Sequence, residues 1–310
     1  MISLGRTGLK VFELCLGGNV FGWTADESQS RAVLDAYAAG GGNFIDTANS
    51  YHIEHGRSET IIGRWMAARG NRDQLVLATK VGAGKGAVAN LRPETIEREA
   101  HASLERLQTD WIDVYYAHYD DEQTPLEESL RAFDALVRAG TVRYIAASNY
   151  RPERLTAALE CQRELGLAEF TVLQPHYNLI ERDFRRLLLP VADAWDLAVV
   201  PYFGLAKGFL TGKYRPGGEA VHSPRAEGAR TYLERGGVAV LEALDDVAAA
   251  HRTTPAAVAL AWLLAQPRVV APIASARTTE QLAQILPAAA LSLSRAELDR
   301  LSASTEIVGT

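Results

Sequence analysis

Hydrophobic residues along the chain fall into eight short runs, separated by segments with helical periodicity. The runs occupy residues 13–18, 43–48, 75–81, 111–119, 142–148, 170–178, 197–203 and 269–275. They are rich in Val, Ile, Leu and Tyr and mostly do not alternate with polar residues, which is typical of strands buried on both faces. The pattern therefore predicts eight strands of a parallel sheet.

Two of the intervening segments carry clear helix signals. Residues 93–107 begin with Pro93, which suits the first helical position, and their apolar residues share one face. Residues 125–140 repeat apolar positions at helical spacing and end on Gly140, which suits the position just after a helix. Strands that alternate with helices in this way predict an α/β fold.

Eight strands with eight helical connections in 310 residues predict a (β/α)₈ TIM barrel. The opening residues 2–14 predict a β-hairpin ahead of the first barrel strand, with its turn near Arg6-Thr7-Gly8. Residues 205–237 predict a long polar loop after strand seven, of a length typical of functional lids or disordered segments. With no linker visible, we expect residues 1–310 to form one domain.

Composition and charge exclude several classes of protein. The net charge of −6 and the scattered cationic residues argue against a nucleic-acid partner. No apolar run approaches the roughly 20 residues that span a bilayer, and the N-terminus lacks the pattern of a signal peptide. Cys15 and Cys161 are too few for a disulfide framework and suit a reducing compartment. We therefore expect a cytoplasmic protein without a membrane partner.

Ionisable residues end three successive predicted strands. Asp46 ends the second, Lys80 the third and His118 the fourth, while Tyr51 follows Asp46 on the next loop. Active sites of (β/α)₈ barrels lie at the carboxyl ends of the strands. Each residue alone is more often structural, as a cap, a packed side chain or a barrel histidine. The four together predict a catalytic cluster.

The chemistry of this cluster follows from its charges. Lysine is almost never fully buried without a partner, so Lys80 is expected to pair with Asp46. The ammonium would stabilise phenolate and lower the pKa of Tyr51 from about 10 toward about 7, a change of roughly 4 kcal/mol. Tyr51 would then be a general acid for a carbonyl oxygen, and His118 would orient the substrate.

Two local patterns point to other chemistry but lack the context that it requires. His52 and His55 lie three residues apart without a third ligand nearby, so we expect no metal site. Residues 82–87 match G-x-G-x-x-A, but the next predicted helix begins only at Pro93. A dinucleotide-binding glycine motif needs a helix that opens directly on it, so we reject that interpretation.

Motifs along nearly the whole chain resemble one family. They are the Asp/Tyr segment at 43–63, the lysine strand at 75–82, the histidine strand with its following unit at 112–150, and the segments 173–183, 199–214 and 271–282. In content and order they are similar to those of the aldo-keto reductases, in the bacterial branch that also resembles potassium-channel β-subunits. The resemblance implies a nicotinamide-dependent reductase of small carbonyl compounds.

The resemblance also implies roles for individual residues. The catalytic tetrad would be Asp46, Tyr51, Lys80 and His118, with Tyr51 protonating the carbonyl oxygen as nicotinamide C4 delivers hydride. The residues around the nicotinamide would be Ser148, Asn149 and Gln174 at its carboxamide and Tyr202 stacked on its ring. The pyrophosphate would be lined by Phe203, Gly204, Leu205, Lys207 and Leu210. The adenosine 2′-phosphate of NADPH would be faced by Ser275, Arg277 and Gln281.

Departures from the family pattern affect the cofactor and the substrate pocket. Gln284-Ile285 replaces a Glu-Asn pair, and isoleucine cannot bind the adenine amine, so NADH remains possible beside NADPH. The sequence after residue 304 is short, which predicts an open pocket without a long C-terminal loop. We expect its apolar wall to include Phe21, Trp23 and Tyr119.

Two other functions stay open at this point. A depressed lysine pKa would allow Lys80 to form a Schiff base, as in barrel lyases. Alternatively, the likeness to channel subunits allows a protein that binds NADPH without much turnover. Tyr51, His118 and Arg277 favour the reductase.

Overall fold

The computed structural model describes residues 1–51, 56–83, 89–218, 221 and 223–305 of the chain. At the N-terminus, strands β1 (Ile2–Ser3) and β2 (Lys10–Val11) pair antiparallel on either side of a 3₁₀ turn. Gly8 follows this turn at φ 75°, a left-handed conformation that glycine adopts without strain. The predicted hairpin and the place of its turn are confirmed.

Eight parallel strands form the central sheet. They are β3 (Cys15–Gly17), β4 (Phe44–Asp46), β5 (Val76–Val81), β6 (Ile112–Ala117), β7 (Val142–Ser148), β8 (Phe170–Gln174), β9 (Ala198–Val199) and β10 (Ile273–Ala274). The backbone amides of Val270 and Ile273 donate to the carbonyls of Val199 at 2.9 Å and Pro201 at 2.8 Å, which joins the two ends of the sheet. Each predicted run contains one strand, and the predicted (β/α)₈ barrel is confirmed.

Helices surround this sheet. They are α1 (Glu27–Ala39), α2 (Arg57–Arg69), α3 (Pro93–Leu107), α4 (Leu126–Arg138), α5 (Pro152–Glu164), α6 (Asp183–Leu187), α7 (Leu189–Ala194), α8 (Ala226–Glu234), α9 (Val238–His251), α10 (Pro255–Leu264), α11 (Thr279–Ile285) and α12 (Arg295–Ala303). Helices α3 and α4 match the two predicted from sequence, and Gly140 follows α4 at φ 77°. Within the described ranges, no helix combines the length and hydropathy needed to cross a membrane.

The strands have two buried faces because alternate side chains point into the barrel or toward the helices. Inside the barrel, Leu4 and Val11 of the hairpin pack in one cluster with Phe44, Val76 and Val114. The outward faces of the same strands pack with the helices in a second, larger core. Apolar side chains thus fill the barrel at the N-terminal ends of its strands. The polar side chains that point inward lie at the carboxyl ends.

The segment at 205–237 contains helical structure that its composition did not predict. A 3₁₀ segment covers Ala206–Thr211 and α8 follows later in the segment. Phe209 and Tyr232 are buried with their ring centres 5.4 Å apart, so these aromatic side chains fasten the two pieces together. The described parts of this segment, which follows β9, are therefore held together by apolar contacts between residues that are distant in sequence.

Candidate active site

The last inward-facing position on successive barrel strands is polar. Asp46 lies two residues after the buried Phe44 on β4, and Lys80 lies two residues after Ala78 on β5. The same step of two along β6 to β9 leads to His118, Ser148, Gln174 and Tyr202. Residues two apart on a strand share a face, so these side chains meet above the apolar interior.

The Lys80 amine is the centre of the cluster. Its Nζ donates to Asp46 Oδ2 at 2.6 Å, to the Thr47 carbonyl at 2.7 Å and to the Tyr51 hydroxyl at 3.1 Å. Lys80 is 0% exposed, and its contacts with Asp46 and Thr47 are buried, whereas its contact with the Tyr51 hydroxyl is partly buried. The other Asp46 oxygen accepts from Gln174 Nε2 at 2.9 Å. A buried ion pair whose hydrogen bonds are satisfied in this way is stable in a protein interior.

The protonation state of Lys80 is fixed by its neighbours. Burial lowers the pKa of Lys80, but the Asp46 carboxylate and the Tyr51 hydroxyl outweigh burial, and the net pKa is raised. A Schiff-base nucleophile requires a neutral, accessible amine. The depressed pKa on which that alternative rested is therefore wrong, and Lys80 is a buried ammonium.

The pKa of Tyr51 differs from the prediction. The net pKa of Tyr51 is raised to about 12: burial, the largest influence, raises it, the positive charge of Lys80 lowers it, and the Asp46 carboxylate raises it. The prediction of a pKa near 7 neglected the desolvation of the phenolate and the negative charge of Asp46. The hydroxyl is consequently protonated at neutral pH, which is the state that a proton donor needs.

His118 lies at the rim beside Tyr51. The two rings meet edge to face with their centres 6.1 Å apart, and the His118 ring stacks on Tyr119 at 5.0 Å. Burial, and to a smaller extent the positive charge of Lys80, lower the pKa of His118 to about 3. The imidazole is therefore neutral at physiological pH and can donate one N–H to a carbonyl oxygen.

The low pKa of His118 makes stability depend on pH. Histidine in an unfolded chain titrates near about 6.5, so the unfolded state binds this proton first as the pH falls. The stability contributed by the neutral imidazole is fully present above that value and is lost as the pH falls toward 3. We expect His118→Gln to reduce the difference in unfolding free energy between about pH 8 and about pH 5 by up to about 2 kcal/mol.

Urea unfolding at the two pH values measures this difference. His101 is exposed on α3, so His101→Gln is the matched control and should leave the wild-type difference unchanged. An equal pH difference in wild type and His118→Gln would show that His118 is not buried in the neutral form.

A hydrogen-bonded network connects the ends of β6 to β9. Asn149 Nδ2 donates to the His118 carbonyl at 2.9 Å, and Asn149 Oδ1 accepts from the Tyr202 hydroxyl at 2.8 Å. Ser148 Oγ donates to the Gln174 carbonyl at 2.9 Å. Asn149 adopts φ 56°, a left-handed conformation that asparagine tolerates better than most residues. The network holds a row of amide and hydroxyl groups along one wall.

A cleft of about 690 Å³ opens above these residues. Most residues predicted for the site line it: Asp46, Tyr51, His118, Ser148, Asn149, Gln174, Tyr202, Phe203, Gly204, Leu205, Lys207, Ser275, Arg277, Gln281, Trp23 and Tyr119. Gln284 and Ile285 line it as well. One cleft therefore brings together the expected catalytic, cofactor and substrate residues.

Three predicted residues lie off the cleft surface. Lys80 is buried beneath the floor, where it contacts Tyr51 from below. Phe21 is fully buried in the larger core, between the strands and the helices, so the prediction that it lines the substrate wall is wrong. The chain turns between Phe21 and Trp23, and this turn directs the two side chains apart. Leu210 is also fully buried in the larger core, and its side chain does not reach the cleft.

Comparison with models of protein families assigns the chain to a family. Residues 13–306 match the model of the Aldo/keto reductase family. The chain belongs to this family. Aldo/keto reductases are oxidoreductases of carbonyl compounds and generally use a nicotinamide cofactor. The family predicted from the sequence motifs is thus confirmed.

Individual aldo/keto reductase relatives cover nearly the whole chain. The uncharacterized oxidoreductase YrpG of Bacillus subtilis is 37% identical over 313 residues, which are 96% of this chain and 94% of YrpG. Aldo-keto reductase ausK of Aspergillus calidoustus is 36% identical over 316 residues, 95% of this chain and 78% of ausK. Putative aryl-alcohol dehydrogenase AAD14 of Saccharomyces cerevisiae is 33% identical over 317 residues, 95% and 83% of the two chains.

Sequence reasoning missed several residues of this aldo/keto reductase cleft. Asn19, from the loop after β3, accepts a hydrogen bond from Ser275 Oγ at 2.7 Å. The segment at 205–237 also contributes Lys213, Ser223, Pro224 and Arg225. The rule that catalytic residues follow strand ends does not find these four residues, because they return to the opening long after β9 ends. The one signal in the sequence was the unusual length of that segment.

Metal ligation finds no support in the part of the chain that the structure describes. There, no group of three or more His, Cys, Asp or Glu side chains is arranged to hold a metal ion. His52, His55 and most of the glycine motif at 82–87 lie outside the described residues.

Proposed function

We propose that the protein is an NADPH-dependent carbonyl reductase in which Tyr51 is the general acid. The observation that carries this proposal is the fully buried Lys80 amine, which contacts both the Asp46 carboxylate and the Tyr51 hydroxyl. Asp46 keeps the amine charged, and the ammonium stabilises the negative charge that remains on Tyr51 when its proton leaves. Residues 1–310 would act as one catalytic domain.

His118 complements the proton donor. Its neutral ring meets that of Tyr51 edge to face, so one imidazole N–H and the phenol O–H can converge on a single carbonyl oxygen. The two donors would position that oxygen and stabilise its developing negative charge. Tyr51 then transfers its proton to the oxygen, and Lys80 limits the cost of the phenolate.

The cleft lining fits a nicotinamide dinucleotide. Lys207, Lys213 and Arg277 all line the cleft. None of these three side chains forms an ion pair with a carboxylate of the described residues. Unpaired cations in a partly buried cleft suit phosphate groups. NADPH, when bound, supplies the hydride that carbonyl reduction requires.

The proposed contacts are given from the nicotinamide end of the cofactor to its 2′-phosphate. The nicotinamide carboxamide would bind Ser148, Asn149 and Gln174, and its ring would lie on Tyr202. The pyrophosphate would lie along Phe203, Gly204, Leu205 and the two lysines 207 and 213. The 2′-phosphate would bind Ser275, Arg277 and Gln281.

Arg277 tests the preference for NADPH. Arg277→Ala removes the guanidinium proposed to bind the 2′-phosphate, and we expect NADPH affinity to fall roughly tenfold or more, the value of a hydrogen bond to a charged group. NADH lacks that phosphate and is the internal control. Fluorescence titration of both cofactors measures the change without turnover. Equal loss of affinity for NADH and NADPH would contradict the phosphate assignment.

Aromatic side chains suggest the first substrates to test. Trp23 and Tyr119 line the cleft and are 45% and 39% exposed, so both rings offer apolar surface to a bound substrate. The name of the yeast relative, aryl-alcohol dehydrogenase, also points to aromatic substrates. We propose that aromatic aldehydes are reduced to alcohols in this cleft.

A panel of benzaldehydes with NADPH, followed by the absorbance of the reduced cofactor, tests the proposed function. Steady turnover of at least one aldehyde is expected. Tight NADPH binding without turnover of any aldehyde or ketone would contradict a reductase and favour a cofactor-sensing protein.

A further inference from the structure

Helix α2 begins with two buried polar residues, Ser58 and Glu59, on the outer side of the barrel wall. Both are 0% exposed. The Thr47 hydroxyl donates to Ser58 Oγ at 2.8 Å, and the Thr79 hydroxyl donates to Glu59 Oε1 at 2.6 Å. Two neighbouring residues of one helix thus contact the carboxyl ends of two neighbouring strands, β4 and β5.

The two threonines adjoin the ion pair of the candidate active site. Thr47 directly follows Asp46, and Thr79 directly precedes Lys80. Because side chains alternate along a strand, Lys80 points into the barrel while Thr79 points toward the helices. The main-chain carbonyl of Thr47 also accepts from Lys80 Nζ at 2.7 Å. A displacement of Thr79 on the outer side is therefore transmitted through one peptide unit to Lys80.

A buried ion pair holds Glu59 itself. Arg106 Nε, from α3, donates to Glu59 Oε2 at 2.6 Å, so each carboxylate oxygen of Glu59 accepts one short hydrogen bond. A Cβ atom at Gly56, the residue before α2, would lie 2.2 Å from Arg106 Nε, so the arginine packs directly on the backbone at the start of α2. Glu59 consequently has a fixed position relative to both α3 and β5.

Stability alone does not account for an ion pair at this place. Apolar residues of the same volume often stabilise a protein as well as a buried ion pair does. A carboxylate, however, gives Thr79 a short, directed hydrogen bond that an apolar residue cannot supply. Electrostatic energies in a buried site change steeply with distance. A small shift of Lys80 would therefore weaken its effect on Tyr51, whose hydroxyl lies 3.1 Å from the amine.

We propose that Glu59 is a positioning residue for the proton donor. Through Thr79 it fixes the backbone of β5 at Lys80, and the Lys80 amine in turn stabilises the charge that develops on Tyr51. This inference rests on the proposed carbonyl reductase function. Glu59 does not line the cleft that the described residues form, so its loss should act on turnover and leave the binding of cofactor and substrate intact.

Two substitutions of Thr79 separate positioning from packing. Thr79→Val keeps the branched shape but removes the hydroxyl that Glu59 holds, whereas Thr79→Ser keeps the hydroxyl and removes a buried methyl group. We expect Thr79→Val to lower kcat roughly tenfold or more, as for a small misplacement of catalytic groups, with KM and NADPH affinity unchanged. Thr79→Ser should keep the kcat of wild type, although both variants should be less stable than wild type.

Substitution of Glu59 gives the same comparison from the other side of the contact. Glu59→Gln keeps a side chain that can bond the Thr79 hydroxyl, because a hydroxyl both donates and accepts. This variant should retain most of kcat, whereas Glu59→Ala should lose as much as Thr79→Val. Urea unfolding should show a loss of stability in both Glu59 variants, since each leaves Arg106 without its carboxylate.

Thr171 offers a matched control. It is a buried threonine of β8 whose hydroxyl donates to the Ile145 carbonyl at 3.3 Å, and it does not line the cleft that the described residues form. Thr171→Val removes a buried strand hydroxyl in the same way as Thr79→Val. It should keep the kcat of wild type for the same aldehyde.

Each contrary outcome is distinct. With an active wild type, equal kcat values in Thr79→Val and Thr79→Ser would overturn the inference while the reductase function stands. A loss in Thr79→Val that lies in KM or in NADPH affinity, or that Thr171→Val shares, would indicate a general effect on packing and would overturn it as well. If wild type reduces no aldehyde or ketone of the panel, the reductase function itself fails, and this inference with it.

Discussion

Tyr51→Phe is expected to lower kcat for aldehyde reduction by about 10²–10⁴, the contribution of a positioned general acid. The substitution removes only the hydroxyl, which contacts Lys80 at 3.1 Å and faces the cleft. The ring, and with it the shape of the cleft, stays in place. NADPH affinity should therefore change little. Steady-state kinetics together with a fluorescence titration of NADPH measure the two quantities separately.

Tyr116 offers a matched control for this variant. The Lys80 amine lies 4.9 Å from the ring centre of Tyr51 and 5.7 Å from that of Tyr116, so both tyrosines are neighbours of the same charge. Tyr116 is fully buried inside the barrel, below the cleft. Tyr116→Phe should keep most of the activity. Comparable losses in both variants, or parallel losses of turnover and NADPH binding in Tyr51→Phe, would refute the role of Tyr51.

Lys80→Met is expected to lower the free energy of unfolding by about 3–5 kcal/mol, because it leaves a buried carboxylate without its counter-charge. Asp46 would keep only the hydrogen bond from Gln174, at 2.9 Å, and both residues lie away from water. Turnover should fall as well, since the charge of Lys80 is what lowers the cost of ionising Tyr51. Urea unfolding at neutral pH measures the first effect and aldehyde reduction the second.

The double variant Asp46→Asn/Lys80→Met separates structure from catalysis. It buries no net charge, so we expect it to recover a large part of the lost stability. It still lacks the ammonium beside Tyr51, so turnover should not return. A double variant as unstable as the sum of both single variants would indicate that the two side chains are not coupled. One that regains turnover would show that the ammonium is dispensable.

The fold was predictable because its signals are local. Apolar runs buried on both faces, helices that start at proline and end at glycine, and the alternation of the two together indicate a parallel barrel. The eight strands fall within the eight predicted runs, and α3 has the predicted bounds. The strand-end positions of Asp46, Lys80 and His118 follow from the same pattern, since the barrel orients every strand alike.

Other features depend on contacts that the sequence order does not contain. The pKa of Tyr51 is set by how completely the phenol is buried and by the distance to two opposite charges. Phe21 and Trp23 are two residues apart, yet a turn directs the first into the core and leaves the second exposed. Arg225 reaches the cleft through the packing of α8, which no periodicity near residue 225 predicts.

The sequence by itself determined the family, the barrel and the strand-end residues, because each of these depends on residue type and spacing along the chain. The tertiary structure decided which side chains share a cleft, that Lys80 lies under the floor as a buried ammonium, and that Tyr51 is protonated at neutral pH. These depend on distances and on the exclusion of water between segments far apart in the chain. Electrostatic free energies change steeply with both, so they are set only when the segments pack together.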